Sequence, residues 1–229
     1  MSDNIKTLEQ TLNSDGFAIT AEIPAPISAS AIEMEEKIDL LKGHVHAVNV
    51  TDNPGATAHM SSLAGCNIVR NKGIDPIFQV TCRDRNRLAI QSDLMGASAL
   101  GINNVLTLAG DPIKNGDQAD AKAVFDINSK KILSIMQSMN DDGQTMSGRE
   151  LQTRSKFFPA GAAIIHEPEE NWEPVALKEK AELGAKFIQT QFCYDVDLLK
   201  TYMKSVSYTH LRAHETLRYL VCRLMLEKK

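Results

Sequence analysis

Asn103-Asn104-Val105-Leu106-Thr107-Leu108-Ala109-Gly110-Asp111-Pro112 opens on an apolar, β-rich run and ends on a glycine, a carboxylate and a proline. Such a pattern reads as a short buried strand that delivers the chain into a turn. Runs of the same kind recur on both sides, at residues 17–24, 47–52 and 76–82 before it and at 157–164 and 187–195 after it. With the strand at 103–110, their starts are separated by 30, 29, 27, 54 and 30 residues. The segments between them carry helical signals. Ser30 is placed to cap a helix whose apolar face includes Ile32, Leu40 and Leu41; further helices are expected over 57–71, 86–100, 126–139 and 174–183. Gly73, Gly101 and Gly184 fall where three of these helices must stop before the next strand. The long 54-residue step leaves room for a helix and a polar connection at 140–155.

Strands alternating with helices build a parallel α/β architecture, either a doubly wound sheet or a TIM-type (β/α)8 barrel. No G-x-G-x-x-G follows the first strand and no G-x-x-x-x-G-K-[ST] occurs, so the phosphate-binding turns of open nucleotide-binding sheets are missing. A barrel is therefore expected. It is an incomplete one, because about six βα units are present and the remaining 25 residues are too few for two more at the observed step.

Those last residues, 205–229, differ from the rest. They hold five Arg or Lys and two Glu, whereas the chain as a whole carries a net charge of −4. The run from Tyr208 to Thr216 (YTHLRAHET) resembles a translated sequencing-adapter peptide fused to reading frames assembled from environmental DNA. The expected division is a partial barrel at 1–204 and a foreign tail at 205–229. The alternative is an amphipathic helix with Leu217, Leu220, Val221 and Leu224 on one face. The i, i+4 pair His210 and His214 could clamp a metal on such a helix, and is accidental on the adapter reading.

Composition narrows the function classes. An acidic balance with interspersed charges gives no basic footprint for nucleic acid. No apolar run reaches membrane-spanning length, and the N-terminus lacks a signal-peptide core, so a cytoplasmic location is expected. Cys66, Cys82, Cys193 and Cys222 are widely spaced, which favours buried free thiols over a zinc knuckle or a disulfide framework. Small-molecule chemistry is the better expectation.

In a parallel barrel that chemistry sits at the C-terminal strand ends. Here they read Thr20-Ala21-Glu22-Ile23-Pro24, Asn49-Val50-Thr51-Asp52-Asn53, Gln79-Val80-Thr81-Cys82-Arg83, Leu108-Ala109-Gly110-Asp111-Pro112 and Gln189-Thr190-Gln191-Phe192. Glu22 lies on an apolar strand, where burial would favour its protonated form and suit a general acid; a carboxylate paired with a lysine or capping a turn is the equal alternative. Asp111, between glycine and proline, reads by itself as a turn residue, and Thr51 and Gln191 as ordinary strand-end hydrogen bonders. Their convergence on one barrel mouth points to a site.

Taken in order, T-A-E-I-P at 20–24, V-T-D-N at 50–53, Q-V-T-C at 79–82, L-x-L-x-G-D-P at 106–112, G-A-A at 161–163 and G-A-K-F-I-Q-T-Q-F at 184–192 resemble the methylenetetrahydrofolate reductase family. The resemblance covers residues from about 15 to 204. It implies an eight-stranded barrel that holds FAD without a dinucleotide fingerprint and passes hydride from NADH or NADPH, through the flavin, to 5,10-methylenetetrahydrofolate in a ping-pong cycle. Glu22 would protonate the folate and Asp111 would lie near flavin and pterin. Gln191 and Phe192 would contact the folate. Thr51, Gln79, Leu108, Ala109, Gly110, Asp111, Phe125, Asp126, Ala162 and Lys180 match positions that hold FAD. Gln79, Ala109 and Phe125 stand where histidine, arginine and tyrosine are common, and Ile164 and Glu167 stand where an aromatic and a histidine often occur. These departures fall at the flavin and suggest a different electron donor or a partner subunit. A homo-oligomer is equally compatible. The alternative function is a non-redox pterin-binding barrel or a partner subunit in one-carbon metabolism.

Overall fold

A computed structural model describes residues 6–14, 17–208 and 220–221. The backbone runs α1 (Leu8–Leu12), β1 (Thr20–Ile23), α2 (Ile32–Leu41), β2 (Ala47–Val50), α3 (Ser62–Asn71), β3 (Asp75–Thr81), α4 (Arg87–Ala99), β4 (Asn104–Leu108), α5 (Ser129–Asp141), β5 (Phe158–Ala163), α6 (Val175–Glu182), β6 (Phe187–Thr190), α7 (Val196–Tyr208) and β7 (Leu220–Val221). All strands are parallel and hydrogen-bonded in chain order. The first six, each joined to the next by a helix, curl into an incomplete TIM-type barrel.

Side-chain alternation sorts the strands onto two faces. Outward residues such as Val48, Val50, Phe78, Val80 and Val105 pack beneath the helices, against Met34, Ile38, Cys66, Ile90, Leu94, Ile132 and Met136. Inward residues Ala47, Ile77, Leu106, Phe158, Ala160 and Phe187 form a second core inside the curl, where Phe158 and Phe187 stack at 5.4 Å. The short α1 supplies Leu8 and Leu12 to that inner core. A Thr7–Gln10 capping box starts α1, and the Leu8 backbone N–H donates to Asp75 Oδ2 at 2.9 Å. Burial pushes the Asp75 carboxyl up, against the opposing pull of that N–H.

All six expected strands form, most of them shorter than expected because the ladder ends where the chain turns to make loops. Two helical expectations need correction. The first helix buries Met34, Ile38 and Leu41, whereas Ile32 and Leu40 are 66% and 76% exposed. The period of 3.6 puts positions 34, 38 and 41 on one stripe, and Ile32 and Leu40 fall outside it. Ala31 rather than Ser30 is its N-cap, and the Ser30 hydroxyl accepts from the Ile32 N–H at 3.3 Å. The helix expected over 57–71 begins only at Ser62, where Ser61 Oγ caps Ala64 N–H and the Met60 N–H is spent on the Pro26 carbonyl. Neither α1 nor α7 was anticipated. The chain stays helical through 204–205, and Leu220–Val221 pairs with β6 as a strand rather than continuing a helix. His210, His214, Leu217, Leu224 and Cys222 lie outside the described residues. No helix among the described residues is long and apolar enough to cross a membrane.

The fully buried Leu8 makes α1 a test of the inner core. Leu8→Ala should cost about 2–5 kcal/mol, read as a lower urea midpoint. An unchanged midpoint would show that α1 is not docked.

Candidate functional site

The C-terminal strand ends open into a cavity of about 800 Å³, within the size range of small-molecule sites. Of the residues expected to serve a site, Glu22, Thr51, Gln79, Leu108, Ala109, Gly110, Asp111, Ala162, Lys180 and Gln191 all line it. Phe125, Asp126 and Phe192 do not. The reason for the first two is local. Val124 and Phe125 donate their N–H groups to the carbonyls of Arg83 and Cys82, with Phe125 at φ 40, and this draws the chain toward the start of α4. There Asp126 accepts from Arg87 Nε and Nη2, each at 2.7 Å, and from the Arg87 backbone N–H at 2.9 Å. The Arg87 hydrogen bonds hold its carboxyl down to about 2. Phe192, past the end of β6, stacks on Tyr194 at 6.3 Å.

Inside the cavity Gln79 is 5% exposed, and its amide Nε2 donates to Glu22 Oε2 at 3.0 Å. A side chain expected to hold cofactor is thus engaged with the candidate acid. Thr51 is 6% exposed, and its hydroxyl oxygen meets no partner among the described residues. Lys180 reaches from α6 to the Ala162 carbonyl. Burial pushes its ammonium down, and the neighbouring Lys130 adds to the effect. Small residues Ala109, Gly110, Ala162 and Ala163 leave backbone at the cavity wall. Gly110 sits at φ 97, and a Cβ there would come within 2.9 Å of Arg83 Cβ, so neither the turn nor the space admits a side chain.

Asp111 is held by the loop after β2: the Gly55 N–H donates to its Oδ2 at 2.8 Å. Beneath both loops lies Arg83, 1% exposed. Its guanidinium donates to the backbone carbonyls of Asp111 (3.2 Å) and Asn53 (3.1 Å) and to both oxygens of Asp84 (2.6 and 2.7 Å). Beside it the buried Asp52 accepts from Arg85 at 2.6 and 2.9 Å and from the Thr81 N–H and hydroxyl. Sequence reasoning passed over this network, although the charged run Arg83-Asp84-Arg85 directly after an apolar strand was its signal. It also passed over the rim cluster of His166, Trp172 and Tyr202, whose ring centres lie 5.0–5.5 Å apart. Cys66 and Cys82 are buried thiols away from the cavity lining, and burial pushes Cys82 up to about 11.

Comparison with known proteins places this geometry in a family. The family described as "Methylenetetrahydrofolate reductase" matches residues 7–214. Among curated proteins, methylenetetrahydrofolate reductase 1 of Schizosaccharomyces pombe is 28% identical over 177 residues, covering 76% of this chain and 28% of that protein. Methylenetetrahydrofolate reductase 2 of the same yeast is 26% identical over 145 residues, covering 62% of this chain and 22% of that protein. The chain therefore spans under a third of the length of these relatives. Among solved structures, a Clostridium thermocellum protein that binds two copies of 5-methyl-5,6,7,8-tetrahydrofolic acid superposes with a TM-score of 0.60 at 15% identity, covering 95% of this chain and 68% of that one. A 2,3-dimethylmalate lyase superposes at 0.55 with 11% identity, covering 86% of this chain and 66% of that one. At these identities the structural likeness speaks for the fold alone.

Two measurements check the electrostatics of the site. Asp52→Ala removes the carboxylate that takes both terminal nitrogens of Arg85 and the Thr81 N–H and hydroxyl, leaving Arg85 only its Nε pair with Asp93 at 2.9 Å, and should destabilise the fold by about 1–3 kcal/mol in chemical denaturation. A depressed carboxyl stabilises above its unfolded value and loses that contribution as pH falls through its folded one. An NMR titration of Asp126 should accordingly show a midpoint near 2 that Arg87→Met returns toward 3.8. A midpoint unmoved by that substitution would mean the pair does not form.

Proposed function

Since the chain belongs to the methylenetetrahydrofolate reductase family, we propose that its barrel mouth performs flavin-dependent reduction of 5,10-methylenetetrahydrofolate to 5-methyltetrahydrofolate, with NADH or NADPH as donor. The observation that carries this reading is the convergence of Glu22, Asp111 and Gln191 on one cavity whose wall also offers an unmet Thr51 hydroxyl and exposed backbone at Ala109–Gly110. The residues present fit an isoalloxazine ring in part. Small residues leave a planar group room, and Thr51, Ala109, Gly110, Ala162 and Lys180 would hold it. Phe125 and Asp126 are committed elsewhere. The bound flavin would supply hydride transfer in two separate half-reactions.

This chain's own residues supply the rest. Glu22 faces the cavity from β1, where Gln79 fixes the direction of its carboxyl, and it donates a proton to a folate nitrogen to open the five-membered ring. Asp111 holds a negative charge at the opposite loop, which favours the cationic iminium that accepts hydride. The Gly55 N–H and the Arg83 clamp keep that carboxylate in place before substrate arrives. Gln191, exposed at the end of β6, offers a donor and an acceptor to the pterin edge. Every described residue that lines the cavity precedes position 205.

A second reading, a pterin binder without flavin, is favoured by two observations: Gln79 is turned to Glu22, and Ala109 has no polar side chain to offer a cofactor. Titrating the chain with FAD separates the two. Saturable flavin absorbance that NADH or NADPH bleaches supports the reductase; folate binding with no flavin uptake supports the binder. In the reductase, Glu22→Gln should slow reoxidation of reduced flavin by methylenetetrahydrofolate roughly 10²–10⁴-fold while leaving flavin reduction intact. Loss of both half-reactions would make Glu22 structural.

A further inference from the structure

We propose that Asn49 binds an internal water molecule and through it positions the Glu22 carboxyl. The inference rests on the reading of Glu22 as the folate acid. Asn49 lies in β2 at 0% exposure, and neither its Oδ1 nor its Nδ2 meets a protein partner among the described residues. In the parallel β1–β2 pair it stands directly opposite Glu22, so both side chains project from the same face of the sheet, into the curl. Thr20, two residues before Glu22 and on that same face, is 1% exposed, and its Oγ1 likewise has no partner.

Three unpartnered polar atoms on adjoining positions of one buried face are costly if the space is dry, because desolvated amide and hydroxyl groups lose their water hydrogen bonds without replacement. A bound water removes that cost. Asn49 offers it a donor and an acceptor, Thr20 a hydroxyl that does either, and Glu22 a carboxyl, which together meet the two to four partners such a water needs. Apolar Ala18, Ala47 and Ile77 are buried on the adjoining inner core and shield the site on that side. Gln79 already holds Glu22 Oε2 from β3; the Asn49 water adds a contact from β2, the strand between β1 and β3. Two uncharged contacts from different strands restrict the carboxyl's direction without adding a neighbouring charge that would oppose its proton cycling. Asn49 is thus a positioning residue, acting through water on the group that touches substrate.

A crystal structure of the full chain decides the water directly: density within hydrogen-bonding distance of the Asn49 amide is expected, and a protein side chain or an empty space there overturns the proposal. Asn49→Leu removes the amide at similar volume. It should slow folate-dependent flavin reoxidation about 10- to 100-fold, as a misdirected acid does, while flavin reduction by nicotinamide is unchanged. Asn49→Ser keeps a hydroxyl and leaves room for water, and should recover most of the lost rate. A leucine variant that melts higher and reacts at the native rate means the site is dry and Asn49 inert. If the native chain reoxidises no flavin with folate, the proposed function fails, yet the density at Asn49 and the melting temperature of the leucine variant still decide the water site.

Discussion

The Arg83 guanidinium is the contact on which the mouth of the barrel depends. A parallel sheet orders its strands but leaves the loops beyond them to find their own hydrogen bonds. Arg83 closes that gap by donating to the carbonyls at Asn53 and Asp111 while Asp84 balances its charge. Hydrogen bonding to Asp84 raises its already high pKa, and the same contact lowers that of Asp84, so the pair stays ionised. A buried arginine without such partners would be unaffordable. With them, it ties the loops after β2 and β4 to the end of β3, and the Asp111 carboxylate is brought to the Gly55 N–H. The glycine at 110 follows from this packing, since any Cβ would strike the Arg83 side chain.

The curl of the sheet sets the second constraint. Its outer face is almost wholly apolar, whereas its inner face changes character along the strand axis, from the Leu8, Leu12 and Ile77 cluster near the strand starts to Glu22, Gln79 and Thr51 at the ends. That gradient separates the part of the interior that holds the fold from the part available for chemistry. Polar side chains at 20, 49, 51 and 189 with unmet atoms lie on the inner side. Beneath the helices, among the described residues, buried polar side chains are met instead: Ser62 donates to the Gln79 carbonyl, and Gln91 bonds the Arg87 carbonyl and the Met146 N–H.

How much was legible in the sequence follows from range. The strands were readable because each is a local apolar run with a turn behind it, and their near-even spacing announced βα units. Nine of the ten expected site residues that share the cavity do so because they occupy strand ends, and a parallel barrel gathers strand ends whatever the loops do; Lys180 alone of the ten reaches in from α6. Phe125 and Asp126 are on a long connection, and no local rule says that residues 82 and 83 capture its backbone or that Arg87 captures its carboxylate. The stripe of α2 was misread for a smaller reason: exposed Ile32 and Leu40 look like core residues until the sheet beneath selects Met34, Ile38 and Leu41.

By itself, then, the sequence determined the alternation of strands and helices, the identity of the polar strand ends and the family to which their order belongs. These are properties of short segments and of their spacing. Only tertiary structure decided which polar groups meet: Gln79 with Glu22, Gly55 with Asp111, Arg83 with two loops 28 and 30 residues away, and the isolation of Asn49. Partners so distant along the chain are chosen by the register and curvature of the sheet, and those come from how the two faces pack rather than from any one run of residues.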